Sequence, residues 1–159
     1  MLMWSTLKKY AEYNIWANSR LIEHLEKIQG EIPAQSLKLF SHVLNAQEIW
    51  IARMTDTVCP VKVWQEHSLA EIKTLHQRSS YKLYDLLKEA DIEEFNREIH
   101  YTNSQNIAYV SRVCDIFTHV FNHCTYHRAQ VATNLRQNGF DPINTDYITY
   151  TRIKSGQPV

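Results

Sequence analysis

At 159 residues with 44% hydrophobic composition, the chain has the size and apolar mass of one globular domain, and residues 1–159 are expected to form a single one. Its 17 basic and 17 acidic residues cancel and are scattered along the chain, which argues against the clustered positive face that nucleic-acid phosphates require. Cys59, Cys114 and Cys124 lack Cys-x-x-Cys spacing, no charged-then-apolar leader opens the chain, and no apolar run reaches the roughly 18 to 20 residues of a membrane helix; a soluble protein of the reducing cytoplasm is expected.

Only three Gly and four Pro punctuate the chain, and the stretches between them carry a helical period. The first predicted helix runs from Ser5 to about Gln29, with Leu7, Ala11, Leu21, Leu25 and Ile28 on one stripe and Gly30 at its end. The second runs from Pro33 to Asp56 and carries Leu39, Phe40, Val43, Trp50 and Met54. After a connector from Thr57 to His67 that contains Pro60 and Trp64, the capping box Ser68-Leu-Ala-Glu71 opens a third helix, which ends near Ala90. Residues 91–108 mix the turn formers Asn103 to Asn106 with a short alternating run around Ile99 and Tyr101, the pattern of a crossover loop or hairpin. The fourth helix spans Ser111 to Asn138, where Gly139 supplies a left-handed cap and Pro142 follows. In the tail beyond it, Tyr147, Ile148 and Tyr150 offer apolar surface to pack back on the body.

Four long helices with one short and two longer connections predict an all-α four-helix bundle, an architecture that builds metal sites from side chains on facing helices; an irregular all-α fold is the alternative. The fourth helix carries His119, His123 and His127 at four-residue spacing, which stacks imidazoles one above the other. On a wheel of about 100° per residue with Val113 as origin, Val113, Ile116, Phe117, Val120, Val131 and Leu135 fall within about 60°. His127 lies inside that stripe at about −40°, His123 on its shoulder at about −80°, and His119 farther out at about −120°. The inward pair is therefore His123 with His127, and His119 is expected to support the site rather than ligate. His42 sits on the shoulder of the second helix, about −100° from Val43, and supplies the natural third ligand. Three histidines at a bundle edge leave coordination positions open to water or substrate. His24, His67, His76 and His100 show no partner spacing and receive no role.

Cys124 stands where a zinc protease carries Glu, so His-Glu-x-x-His fails, and the di-iron pattern Glu-x-x-His is absent from this helix. Cys124 lies on the apolar stripe and reads as a small buried hydrophobe. Asn14 and Asn18 share the apolar stripe of the first helix and need partners there: they tie helices together or orient a metal-ligating imidazole. Trp16 points to the opposite face, so that helix is covered on both sides; a dimer partner is one candidate cover.

Four segments resemble the DinB superfamily of damage-inducible helical bundles: Tyr13 to Asn18, Phe40 to Trp50, His119 to Gln130, and Gly139 to Pro142 before Asp146 and Tyr147. Ala129 stands where members usually carry Gly, a departure that touches helix packing more than ligands. The resemblance implies a bundle with crossed connections and a divalent ion, nickel or zinc, held by the residues matching His42, His123 and His127, the same three that the helical wheel selects. Relatives include thiol transferases and thiol-dependent isomerases, which implies a thiol-dependent S-transferase acting on a small-molecule substrate in detoxification or stress response. Arg128, Arg53 and Asn14 are candidates to position an anionic substrate or the ligands, and Asn18, His119 and Gln130 to support the ligands. A homodimer is expected. Two alternatives stand beside this reading: a metal-dependent hydrolase, and a non-enzymatic dimeric stress protein whose metal is structural or vestigial.

Overall fold

The spacing of Leu7, Ala11, Leu21 and Leu25 along one face is the seed of a helix that buries all four. In the structure, a computed structural model that describes residues 2–103 and 105–158, this is α1 (Leu2–Glu26). It is followed by α2 (Ala34–Thr55), α3 (Leu69–Glu89), the short α4 (Ile92–Asn96), strands β1 (Glu98–Thr102) and β2 (Ala108–Arg112), then α5 (Val113–Gln137) and α6 (Tyr147–Lys154). The protein is an all-α bundle with one small antiparallel hairpin.

α1 packs against α3 and α5, and α2 packs against the same two helices. The consecutive helices α1 and α2 therefore occupy opposite corners, and the chain crosses the bundle between them. Phe40 and Leu44 from α2, Phe117 and Ile116 from α5, Leu21 and Leu25 from α1, and Leu83 and Leu87 from α3 fill the centre.

The helix ends follow local chemistry. At α3 the capping box is complete: Glu71 N–H donates to Ser68 Oγ at 3.3 Å, and Ser68 N–H donates to Glu71 Oε2 at 2.7 Å. At the end of α5, Gly139 adopts φ +81°, and Phe140 N–H returns to the Leu135 carbonyl at 3.0 Å. α1 ends three residues before the predicted Gln29, because Lys27 and Ile28 tighten onto the carbonyls three residues back.

Residues 91–108 resolve into two elements. Asp91 caps α4 by accepting from Glu94 N–H at 2.8 Å, and the hairpin pairs Ile99 with Ser111 and Tyr101 with Tyr109. β2 claims Ser111 and Arg112, so α5 begins at Val113, two residues later than the periodicity predicts. In the turn, Asn103 Oδ1 accepts from Gln105 N–H and Ile107 N–H; Ser104 lies outside the described residues.

The tail folds into α6 over the outer face of α1. Tyr150 is buried there, with its ring 5.5 Å from that of Trp16, while Ile148 faces solvent. Tyr13 Oη donates to the Thr145 carbonyl at 2.7 Å, and Arg20 Nε to the Asn144 carbonyl at 3.1 Å. The second cover on α1 is thus the chain's own carboxyl-terminal segment. Among the described residues no helix is long and apolar enough to cross a membrane.

Candidate metal centre

α2 and α5 lie side by side, and the shoulders of their apolar stripes meet at the seam. His123 and His127 stand one turn apart on α5, facing His42 on α2. One ligand nitrogen from each of the three lies within 4.8 Å of the others. His42 Nε2 and His123 Nε2 are 3.1 Å apart, close to the roughly 3.3 Å kept by two nitrogens bound at about 2.0–2.1 Å to one tetrahedral ion. His42 is buried and the other two are half-buried, so the cluster lies at the rim of the core.

Neighbouring acceptors fix the rings. His42 Nδ1 donates to the Val63 carbonyl at 3.0 Å, and His127 Nδ1 to Gln130 Oε1 at 2.7 Å. Each bond leaves a lone pair on Nε2, the arrangement by which a carbonyl or amide oxygen orients a metal-ligating imidazole. His42 Nε2 then accepts from His123 Nε2, while His123 Nδ1 is buried without a hydrogen-bond partner. Burial pushes the His123 imidazole down to about 3, with the neighbouring His127, His42 and His119 adding to the effect. Burial also lowers His42, against the opposing pull of the Val63 carbonyl. Both rings are neutral at pH 7, the form that binds a cation.

The connector between α2 and α3 completes the wall. Trp64 stacks on the His42 ring with centroids 3.8 Å apart and planes within 9°. Asn45, one turn after His42, donates from Nδ2 to the Gln65 carbonyl at 2.7 Å, and its Oδ1 accepts from His67 Nε2 at 2.8 Å. His67 N–H reaches Ser41 Oγ at 3.0 Å. Sequence reasoning gives none of Val63, Trp64, Asn45 or His67 a part in the site. Asn45 was the legible one, since an amide one turn from a candidate ligand shares its face.

The supporting candidates separate into three places. Gln130 reaches the cluster directly through His127. His119 stands beside it, its ring 5.5 Å from His123 and 5.4 Å from Trp50, and Arg53 lies beyond Trp50 with its guanidinium carbon 4.5 Å from that ring. Asn14, Asn18 and Arg128 belong elsewhere: Arg128 Nη1 donates to Asn14 Oδ1 at 2.8 Å and to Asn18 Oδ1 at 3.0 Å. Arg128 follows His127 by one residue, and a rotation of about 100° sends it to the opposite flank of α5, away from the imidazoles. The network runs on from Asn18 Nδ2 to Ser80 Oγ at 3.2 Å, and both Ser79 and Ser80 donate to Gln47 Oε1. Cys124 is fully buried and accepts from Gln47 Nε2 at 3.4 Å. These residues bind the four long helices together through the core.

A helical bundle with three imidazoles from two adjacent helices converging at its rim defines a class of protein that can hold a metal ion between helices. The sequence matches the model of the DinB family over residues 3–158, and the chain belongs to that family. It is similar to Protein DinB of Bacillus subtilis (strain 168), with 28% identity over 159 residues, covering 89% of this chain and 91% of that protein.

Proposed function

We propose that this chain is a divalent-metal-dependent enzyme of the DinB type, with His42, His123 and His127 as ligands and a low-molecular-weight thiol as co-substrate. The observation that carries the reading is the convergence of three imidazoles within 4.8 Å at the rim of the core, two of them oriented by hydrogen bonds to the Val63 carbonyl and Gln130 Oε1. The donor set fits nickel or zinc, which favour imidazole nitrogen. Three protein ligands leave positions open, whereas a structural ion is held by a closed set of four.

A divalent ion held there would supply Lewis acidity, lowering the pKa of a bound thiol or water. The protein's part is positional. Val63 and Gln130 hold the Nδ1 protons of His42 and His127, and Trp64 fixes the plane of His42 by stacking. In the transfer, sulfur forms a bond to an electrophilic carbon of a small substrate as the leaving group departs with its bonding electrons. The thiol proton passes to solvent.

Elemental analysis of protein purified without a histidine tag should find bound nickel or zinc, and His42→Ala should weaken its affinity roughly a hundredfold or more. The loaded protein is then assayed with thiols and electrophiles, beside a panel of esters and lactones. Turnover equal to buffer on both panels, unchanged by His42→Ala, sinks the enzymatic reading; turnover of the esters alone makes it a hydrolase.

A further inference from the structure

A second cluster adjoins the three-histidine centre. Arg53, on α2, holds its guanidinium carbon 4.5 Å from the Trp50 ring and 4.5 Å from the Tyr101 ring of β1. The two rings meet edge to face, 5.1 Å apart at 80°. Arg53 Nη2 donates to the Thr102 carbonyl at 3.3 Å. The side chain is half-buried, and among the described residues no carboxylate forms an ion pair with it.

A guanidinium between two aromatic faces is held by cation–π attraction and pre-organised for a planar anion, with N–H donors beyond the one used by Thr102. Arg112, Arg97 and Arg78 show the contrast, since each pairs with a carboxylate. Arg53 is also connected to the centre. His119 bridges the two, touching Trp50 on one side and His123 on the other.

The separation defines the ligand. His42 and Arg53 are eleven residues apart on one helix, so their Cα atoms lie about 16 Å apart along its axis. Both side chains lean toward the amino terminus and the longer arginine reaches farther back, which leaves a span on the order of 10 to 15 Å. A ligand touching both ends must be extended.

We propose that Arg53, held between Trp50 and Tyr101, binds the carboxylate of an extended thiol whose sulfur occupies the three-histidine centre. This rests on the metal and thiol reading above, and sharpens it to thiols whose carboxylate lies far from sulfur. The plain alternative is that Arg53 only pins β1 to α2.

The test uses cobalt-loaded protein, in which a thiolate-to-cobalt charge-transfer band reports sulfur at the metal. Mercaptooctanoate should bind about tenfold more tightly than mercaptooctanol, the scale of one hydrogen bond to a charged group. Arg53→Gln should erase that preference without changing cobalt affinity, and Arg53→Lys should keep part of it. Mercaptopropionate, too short to span the distance, should bind wild type and Arg53→Gln alike. Equal binding of the two long thiols by wild type, or a preference that survives Arg53→Gln, overturns the subsite. No cobalt binding, or cobalt binding without the band, overturns the metal and thiol reading. The Arg53 Nε–Hε resonance of the metal-free protein then decides the subsite: a shift with octanoate but not octanol supports it, and no shift overturns it.

Discussion

Gln130 contributes a single hydrogen bond, yet that bond determines which nitrogen of His127 carries the proton. Gln130→Ala should therefore leave the fold intact while lowering metal affinity by about tenfold, measured by competition with a chelator. His76 illustrates a different use of an imidazole. Its Nδ1 donates to Ser80 Oγ at 2.9 Å, because the Ser80 proton goes to Gln47, and its Nε2 accepts from Ser19 Oγ at 2.9 Å. Burial, with the Arg128 charge adding, lowers it from 6.5 to about 4. The unfolded chain binds a proton at His76 between those two values and the folded chain does not, so folding stability falls as pH drops from 6.5 toward 4. The loss levels off below the folded value, at roughly 3 kcal/mol. Urea titrations at pH 7 and pH 5 should show a smaller pH-induced loss in His76→Asn than in wild type. An identical loss in both would place the acid sensitivity elsewhere.

α6 is only eight residues long, and its place depends on one ring. Tyr150 packs among Tyr13, Trp16 and Tyr147, and its hydroxyl donates to Glu12 at 3.2 Å. Tyr150→Ala should cost about 3 kcal/mol and red-shift the fluorescence of Trp16 as water reaches it. An unshifted spectrum would mean that α6 does not cover α1. The same element shows where reading the sequence succeeds and where it stops. Long helices such as α2 and α5 repeat their apolar stripe over many turns, and Ser68, Glu71 and Gly139 mark helix ends by local chemistry. α6 has too few turns for a period to emerge, and of Tyr147, Ile148 and Tyr150 only Tyr150 is buried. The hairpin strands are five residues each and bury little besides Ile99, so alternation there gives no more than a choice between loop and hairpin.

At the scale of the whole molecule, the crossing between α1 and α2 places α2 next to α5, and this adjacency brings His42 to His123 and His127. The three histidines were legible because ligand spacing and apolar periodicity coincide on one helix. The wall around them was not: Val63 acts through a backbone carbonyl, which any residue supplies, and Trp64 lies in a connector without periodicity. The buried polar network through Gln47, Ser79, Ser80 and Asn18 was half-visible, since Asn18 stood out on an apolar stripe while serines did not. The clasp of the connector onto α2 also makes it a reporter. Any local opening that frees Val63 and His67 from His42, Asn45 and Ser41 also lets the His42 ring swing away from its partners. Metal that needs His42 in place must therefore suppress that opening, by linkage. Amide hydrogen exchange at His67 should slow in proportion to metal occupancy and lose that dependence in His42→Ala, while exchange in the hairpin stays constant. Unchanged exchange at His67 on saturation would separate the connector from the centre. Coupled in this way, a surface segment records the filling of a site it does not itself ligate.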